Sequence, residues 1–207
     1  MATALMLPSG SGAGSSCFGH AATIVRGAGN DTIHGTPGSD VILAGGGNDT
    51  VAAGNGVDYV CGQGGNDTLD TGNGDDFLDG RRGEVGDVLL GGSGRDRMIG
   101  GEKSIGGPGK DRMNGTGYVN DSHRDLLKGG SGNDDIAGDD TGSGRDVIRG
   151  GGGDDRLRGL PGRDRIFGNA GNDDLLGGPG NDALNGGPDN DSCDQGPGTG
   201  PVVNCES

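Results

Sequence analysis

Gly45 to Asp70 reads GGGNDTVAAGNGVDYVCGQGGNDTLD, and an aspartate returns in it every nine residues, at Asp49, Asp58 and Asp67. The interval extends upstream to Asp40 and Asp31 and downstream to Asp76. It loosens through Asp87, Asp96, Asp111, Asp125, Asp134 and Asp146, then becomes strict again at Asp155, Asp164, Asp173, Asp182 and Asp191. Two further columns share this register. Two residues after each of these 17 aspartates stands an apolar residue, from Ile33, Ile42, Val51 and Val60 through to Ile166, Leu175, Leu184 and Cys193. Two residues before each stands glycine, except at Val85, His123 and Asp189. With a hydrophobic content of only 28%, the chain does not fill such a column by chance.

The consensus is G-G-x-G-x-D-x-U-x, with U apolar. Its D-x-U-x half alternates, as a short strand does when only U points inward. Its G-G-x-G-x half calls for positive φ and close backbone approach, which glycine permits. Period and pattern predict an all-β fold: a right-handed parallel β-roll, or β-solenoid, with two nonapeptide repeats per turn and about nine turns. At the usual strand spacing, such a stack is roughly 43 Å long.

Composition agrees. The chain has 207 residues, of which 53 are glycine, and only 2% are aromatic. That is too few large side chains for an ordinary packed core. Collagen is excluded because glycine does not fall at every third position. The net charge is −15, from 28 Asp and 3 Glu against 16 Lys and Arg. The preference for the shorter carboxylate suits a side chain that must reach a cation from a tight turn. Such acidity argues against nucleic acid and anionic membranes as partners. No apolar run is long enough for a membrane-spanning helix, so membrane insertion is not expected.

These repeats resemble the RTX family, the calcium-binding nonapeptide repeats of secreted bacterial toxins, proteases and lipases. The resemblance covers Gly27 to Asp194. It implies Ca²⁺ between stacked turns, held by aspartate carboxylates two repeats apart and by backbone carbonyls of the glycine-rich turns. Carried onto this sequence, Asp31, Asp49 and Asp67 line one edge, and Asp40, Asp58 and Asp76 the other. In the second regular block, Asp146, Asp164 and Asp182 face Asp155, Asp173 and Asp191. The carbonyls would come from glycines such as Gly45, Gly47, Gly54, Gly56, Gly151, Gly153, Gly178 and Gly180. With all 17 aspartates as candidates and a defective middle, on the order of 8–14 calcium ions are expected.

The expected organisation is a flexible N-terminal segment and cap over 1–26, the roll over 27–194 and a C-terminal cap over 195–207. The roll is irregular at about 80–145. Gly100 to Ile105 (GGEKSI) lacks any aspartate and reads either as a shortened half-turn or as a loop. Gly115 to Lys128 reads as an outward loop, and Asp139 falls off-register and is expected to matter little. Met1 to Pro8 (MATALMLP) lacks a basic region, so it is either no leader or the tail of one beginning upstream.

Cys17, Cys61, Cys193 and Cys205 have no C-x-x-C spacing, which disfavours zinc. The economical pairing is Cys17–Cys61 and Cys193–Cys205, one clasp at each end, with free buried thiols as the alternative. The phrase CFGHAATIV (17–25) resembles secreted RTX-like proteins of actinobacteria. Disulfides imply an oxidising compartment. His123-Arg124-Asp125-Leu126 mimics a kinase catalytic loop, but Gly130 stands where its asparagine belongs. No catalytic role is expected. The function expected is that of a secreted, extracellular, monomeric calcium-binding module with a structural or binding role, its protein or surface partner unspecified. The alternative is an ice-binding or surface-adhesion solenoid using the face that carries Thr32, Thr50 and Thr68.

Overall fold

The computed structural model describes residues 16–80, 86–115, 123–139 and 143–206, and among these the chain is all β, without a helix. The chain winds alternately through two ten-stranded parallel sheets, in about nine turns. One sheet begins with Ile24–Val25 and ends with Ser192–Asp194; the other begins with Thr32–His34 and ends with Val202–Val203. They are called here the Ile24 sheet and the Thr32 sheet. Pairing thus runs beyond 27–194 at both ends. Register follows the repeat: Thr50, Val51 and Ala52 stand against Thr68, Leu69 and Asp70.

The apolar column forms the core. Ile33, Ile42, Val60, Leu69, Leu78, Leu89, Leu127, Ile136, Ile148, Leu157, Ile166 and Leu175 are fully buried, and Cys193 packs against them in part. Only one large side chain per strand turns inward, so the interior is two facing files of stacked side chains, one from each sheet. A second inward column, two residues further on, is small: Ala44, Ala53 and Thr71 in early turns, mostly glycine afterwards.

The irregular middle follows a rule. Each strand of the Ile24 sheet leads, through a turn, to the edge that begins with Asp31; each strand of the Thr32 sheet leads to the edge that begins with Asp40. Every turn at the Asp40 edge that ends on an aspartate keeps the nine-residue step. Up to Asp191, all length variation falls at the Asp31 edge, where the steps of 11 before Asp87, 14 from Asp111 to Asp125, and 12 from Asp134 to Asp146 occur. Much of that extra length lies outside the described residues, as does half of the expected loop 115–128, whose last three residues belong instead to the strand Leu126–Ser131.

GGEKSI is a half-turn. Lys103–Pro108 is a full strand of the Thr32 sheet, with Ser104 in the apolar column between Leu89 and Leu127. Ser104 is buried there, and its hydroxyl donates to the Gly100 carbonyl at 3.2 Å.

Each end is clasped. At the N-terminal end, Ser16–Cys17 and His20–Ala21 form a hairpin around Phe18 and Gly19, both at positive φ as a tight two-residue turn needs. Cys17 is bonded to Cys61, and Phe18 and His20 pack on Tyr59 and Phe77. Tyr59 and Phe77 are in register on adjacent strands and stack with centroids 4.7 Å apart, close to the strand repeat itself. At the other end Cys193 is bonded to Cys205. Residues 1–15, which include the leader reading and most of the expected flexible segment, lie outside the described residues.

Candidate metal centre

Two ladders of aspartates run along the edges of the roll. On the Asp40 edge, the backbone N–H of each aspartate donates to Oδ1 of the next, one turn onward, through Asp40, Asp58, Asp76, Asp96, Asp111, Asp134, Asp155, Asp173 and Asp191. On the Asp31 edge the ladder runs Asp31, Asp49, Asp67, Asp87 and then Asp125, Asp146, Asp164, Asp182. These bonds span 2.7–3.0 Å. The gap on the Asp31 edge is at Glu102, which takes the aspartate's place in the register but has an exposed carboxylate outside the ladder. The structure thus brings all 17 candidates onto two edges, and the second regular block joins the first with Asp146, Asp164 and Asp182 on the Asp31 side.

The ladder engages one oxygen and leaves the other. Oδ2 of Asp67, Asp87, Asp96, Asp111, Asp134, Asp155, Asp164, Asp173, Asp182 and Asp191 is buried and has no hydrogen-bond donor. Burying an ionised oxygen without a donor or counter-charge is costly. Beside each of these ten atoms lies a glycine of the small inward column, and a Cβ built there would strike that Oδ2. At Gly159 the added atom would lie 2.6 Å from Asp164 Oδ2 and 2.5 Å from the Gly177 carbonyl oxygen of the next turn. At Gly177 the figures are 2.7 Å to Asp182 Oδ2 and 2.6 Å to the Gln195 carbonyl. Beside Asp111, Asp134, Asp155, Asp164, Asp173, Asp182 and Asp191 the volume kept clear by glycine is therefore lined by a carboxylate oxygen and a carbonyl oxygen, at the reach of Ca²⁺–O contacts. Among the described residues no three acidic, His or Cys side chains form a metal cluster by themselves. Backbone oxygens must complete the set, which is hard-cation chemistry.

The early turns differ. Ala44, Ala53 and Thr71 occupy the small column before Asp49, Asp58 and Asp76, so side-chain atoms stand where later turns keep a clearing. Asp40 Oδ2 already accepts from the Thr36 N–H at 2.6 Å and from its hydroxyl at 3.0 Å. Asp139, placed off-register by spacing, is buried beside the Asp31 edge, and its N–H donates to Asp146 Oδ2 at 3.3 Å.

Protonation reports the same crowding. Burial pushes the carboxyls of Asp67, Asp96, Asp134 and Asp173 up to about 6, and those of Asp76, Asp87, Asp111, Asp155 and Asp164 up to about 7. The ladder N–H pulls each one down in part, and in most a neighbouring aspartate pushes it further up. A site in this condition takes either a proton or a cation.

The glycines named from the pattern fall in the turns. Gly45, Gly47, Gly54, Gly56, Gly151, Gly153, Gly178 and Gly180 all have φ between 101° and 157°. Gly178 shows why no other residue serves: a Cβ would lie 2.6 Å from the Leu160 carbonyl oxygen, at a φ that side chains avoid. The pattern did not single out the first glycine of the repeat, whose clearing and carbonyl face the orphaned carboxylate. Its strict smallness in the later turns was the available signal.

On the outer face, Thr32, Thr50 and Thr68 stand in register, but Val88, Lys103 and Leu126 follow at that position. The threonine rank covers three strands.

The sequence model for the RTX calcium-binding nonapeptide repeat (4 copies) matches residues 26–60, 62–84, 86–102, 121–141, 140–166 and 158–193. No curated protein matches the chain.

Proposed function

The chain belongs to the RTX calcium-binding nonapeptide repeat family, and from that premise we propose that it is a secreted calcium-binding module whose roll folds when calcium binds outside the cell. The observation that carries this reading is the set of ten buried Oδ2 atoms without donors, each beside a glycine clearing. The ligand set would be Oδ2 of Asp67, Asp87, Asp96, Asp111, Asp134, Asp155, Asp164, Asp173, Asp182 and Asp191, with carbonyls of the adjoining glycine-rich turns. Asp125 and Asp146, with Gly115 and Gly138 beside their Oδ2 atoms, are further candidates. Asp31, Asp40, Asp49, Asp58 and Asp76 would contribute mainly ladder bonds.

Without a cation the fold must hold these buried carboxyls neutral or leave them uncompensated, around a core with one large side chain per strand. Calcium binds only the folded arrangement and stabilises it by mass action, about 1.4 kcal/mol per site when free calcium is ten times Kd. Ten such sites outweigh the usual stability of a whole domain. Extracellular calcium is sufficient for this and cytoplasmic calcium is not. The two disulfides fit an oxidising compartment. The role proposed is structural or binding, as a monomer and without catalysis.

Circular dichroism and native mass spectrometry test the reading. Coil in EDTA, β-structure in millimolar CaCl₂ but not MgCl₂, and a ladder of about ten bound ions are expected. Two or fewer ions, or a β spectrum that persists in EDTA after reduction, would overturn it.

A further inference from the structure

In the register set by the bridge between Ser192 and Glu206, Cys205 and not an aspartate stands one turn beyond Asp191. The Asp191 backbone N–H nevertheless donates to a carboxylate oxygen, Glu206 Oε2, at 2.5 Å. The tail reaches that position by a shortcut. Val202–Val203 pairs with the last full strand of the Thr32 sheet, so that Asn204 follows where Gly186 stands one turn earlier. Only Cys205 then separates Asn204 from Glu206, which bridges Ser192 and donates its own N–H to the Asp191 carbonyl at 2.9 Å. In the preceding turn, five residues, Gly187 to Asp191, make the same crossing. Cys205 is joined to Cys193, on the strand onto which the tail crosses.

The end of the edge repeats the buried aspartate oxygen and the glycine clearing of the sites below it, although Glu206 itself is exposed. Asp191 is 2% exposed, and its Oδ2 has no hydrogen-bond partner. A Cβ at Gly186 would strike both that Oδ2 and the Asn204 carbonyl oxygen. Glu206 Oε2 takes the ladder N–H, as Oδ1 does elsewhere, and the glutamate makes no other side-chain hydrogen bond or ion pair among the described residues. Glu206 lies one residue past the aspartate register, in line with Ser192, so its extra methylene supplies the reach that an aspartate there would lack.

We propose that Glu206 is a calcium ligand, closing a terminal site with Asp191 Oδ2 and the Asn204 carbonyl, and that the Cys193–Cys205 disulfide holds Glu206 within reach of that site. This rests on the calcium reading of the edges. It makes calcium and the disulfide reciprocal: whatever factor the bond adds to the terminal site's affinity, calcium adds to the bond's resistance to reduction. A dithiol that cleaves it passes two electrons and two protons to the two sulfurs and is itself oxidised to a disulfide. Cys193 and Cys205 become thiols, and the tail is released.

The test uses the full oxidised chain. Native mass spectrometry in CaCl₂ counts ions, and equilibration with graded dithiothreitol, followed by alkylation and peptide mapping, reads each disulfide. In the wild type, calcium should raise the dithiothreitol needed to half-reduce Cys193–Cys205 by roughly tenfold. Glu206→Gln keeps an acceptor for the Asp191 N–H but loses the charge. It should carry one ion fewer and narrow that shift, with Cys17–Cys61 responding as before. The Cys193→Ser/Cys205→Ser chain, shown by circular dichroism to fold in calcium, should also carry one ion fewer. A Glu206→Gln chain with the full count and an unchanged shift overturns the ligand assignment. A double serine chain with the full count overturns the tether. A wild type that binds no calcium overturns the family-level reading instead, a result distinct from either.

Discussion

The backbone N–H of Asp173 donates to Oδ1 of Asp191, 18 residues onward, at 2.9 Å, and this bond decides which oxygen of Asp191 is left for a cation. One oxygen is held by the chain, and the other faces a clearing closed by a carbonyl of the next turn. Each carboxylate therefore joins two turns twice, once through a peptide N–H and once through whatever fills the clearing. Removing one aspartate should disturb both neighbours, but only where a clearing exists.

Asp173→Ala should accordingly lower the calcium count by one or two ions, because Gly168 keeps the site open beside Asp173 Oδ2. Asp49→Ala should leave the count unchanged and only weaken the ladder, because Ala44 fills the corresponding space. Native mass spectrometry of the two variants in saturating CaCl₂ checks this. Equal losses would show that Ala44 does not close its site.

Ala53→Gly is the converse experiment. It opens a clearing beside Asp58 Oδ2, which is buried without a donor. The variant should gain one calcium ion over the wild type. An unchanged count would overturn the role of Ala53 in keeping an ion from Asp58.

The metal-free chain should respond to acid in a definite direction. Folded carboxyls raised to about 6 or 7 hold protons that the unfolded chain releases near pH 4. Between these values the folded state binds more protons, so its stability falls as pH rises through them. In EDTA, β-structure should therefore increase from about pH 7.5 to about pH 5. Calcium binding near pH 6.5 should release protons to the buffer, as potentiometry would show. Loss of β-structure on acidification in EDTA over that range would contradict the burial of these groups.

The two disulfides should differ in worth. Loop-closure entropy gives about 4 kcal/mol for the 44-residue separation of Cys17–Cys61 and about 3 kcal/mol for the 12-residue separation of Cys193–Cys205. Urea unfolding of Cys17→Ser/Cys61→Ser and Cys193→Ser/Cys205→Ser in saturating calcium compares them. The first pair should cost more, since it also frees the hairpin that covers Tyr59 and Phe77. The reverse order would show that the C-terminal bond acts through more than chain entropy.

The periodic part of this protein could be read from its sequence because one residue type recurs where one geometric demand recurs. Asp49, Asp58 and Asp67 announced both edges, and Ile33 to Leu184 announced the core. What escaped was substitution within the register. In GGEKSI, Glu102 and Ser104 replace both marker residues, yet backbone pairing with Leu89 and Leu127 keeps the strand. Asp139 looked incidental because it lies within a lengthened turn, although the fold buries it against Asp146. Ala44 and Ala53 differ from glycine by one methyl, and the pattern assigned that position no role. Glu206 belongs to no repeat, and only the shortcut through Cys205 brings it to the edge.

The Cys17–Cys61 bond also changes how the rod would carry load. Each turn is bonded only to its neighbours, so tension applied to the two ends would unwind a plain stack turn by turn from whichever end is weaker. Pulled from its N-terminal end, this chain cannot yield in that way, because force arriving at Cys17 passes straight to Cys61, 44 positions onward, and bypasses the residues between them. The first turns are thus shielded by a covalent short circuit, while the turns rich in orphaned aspartates lie directly in the line of force. Their resistance to stretching would then be set by the divalent ion in the surrounding fluid, which makes the extensibility of the rod a property of the medium as much as of the chain.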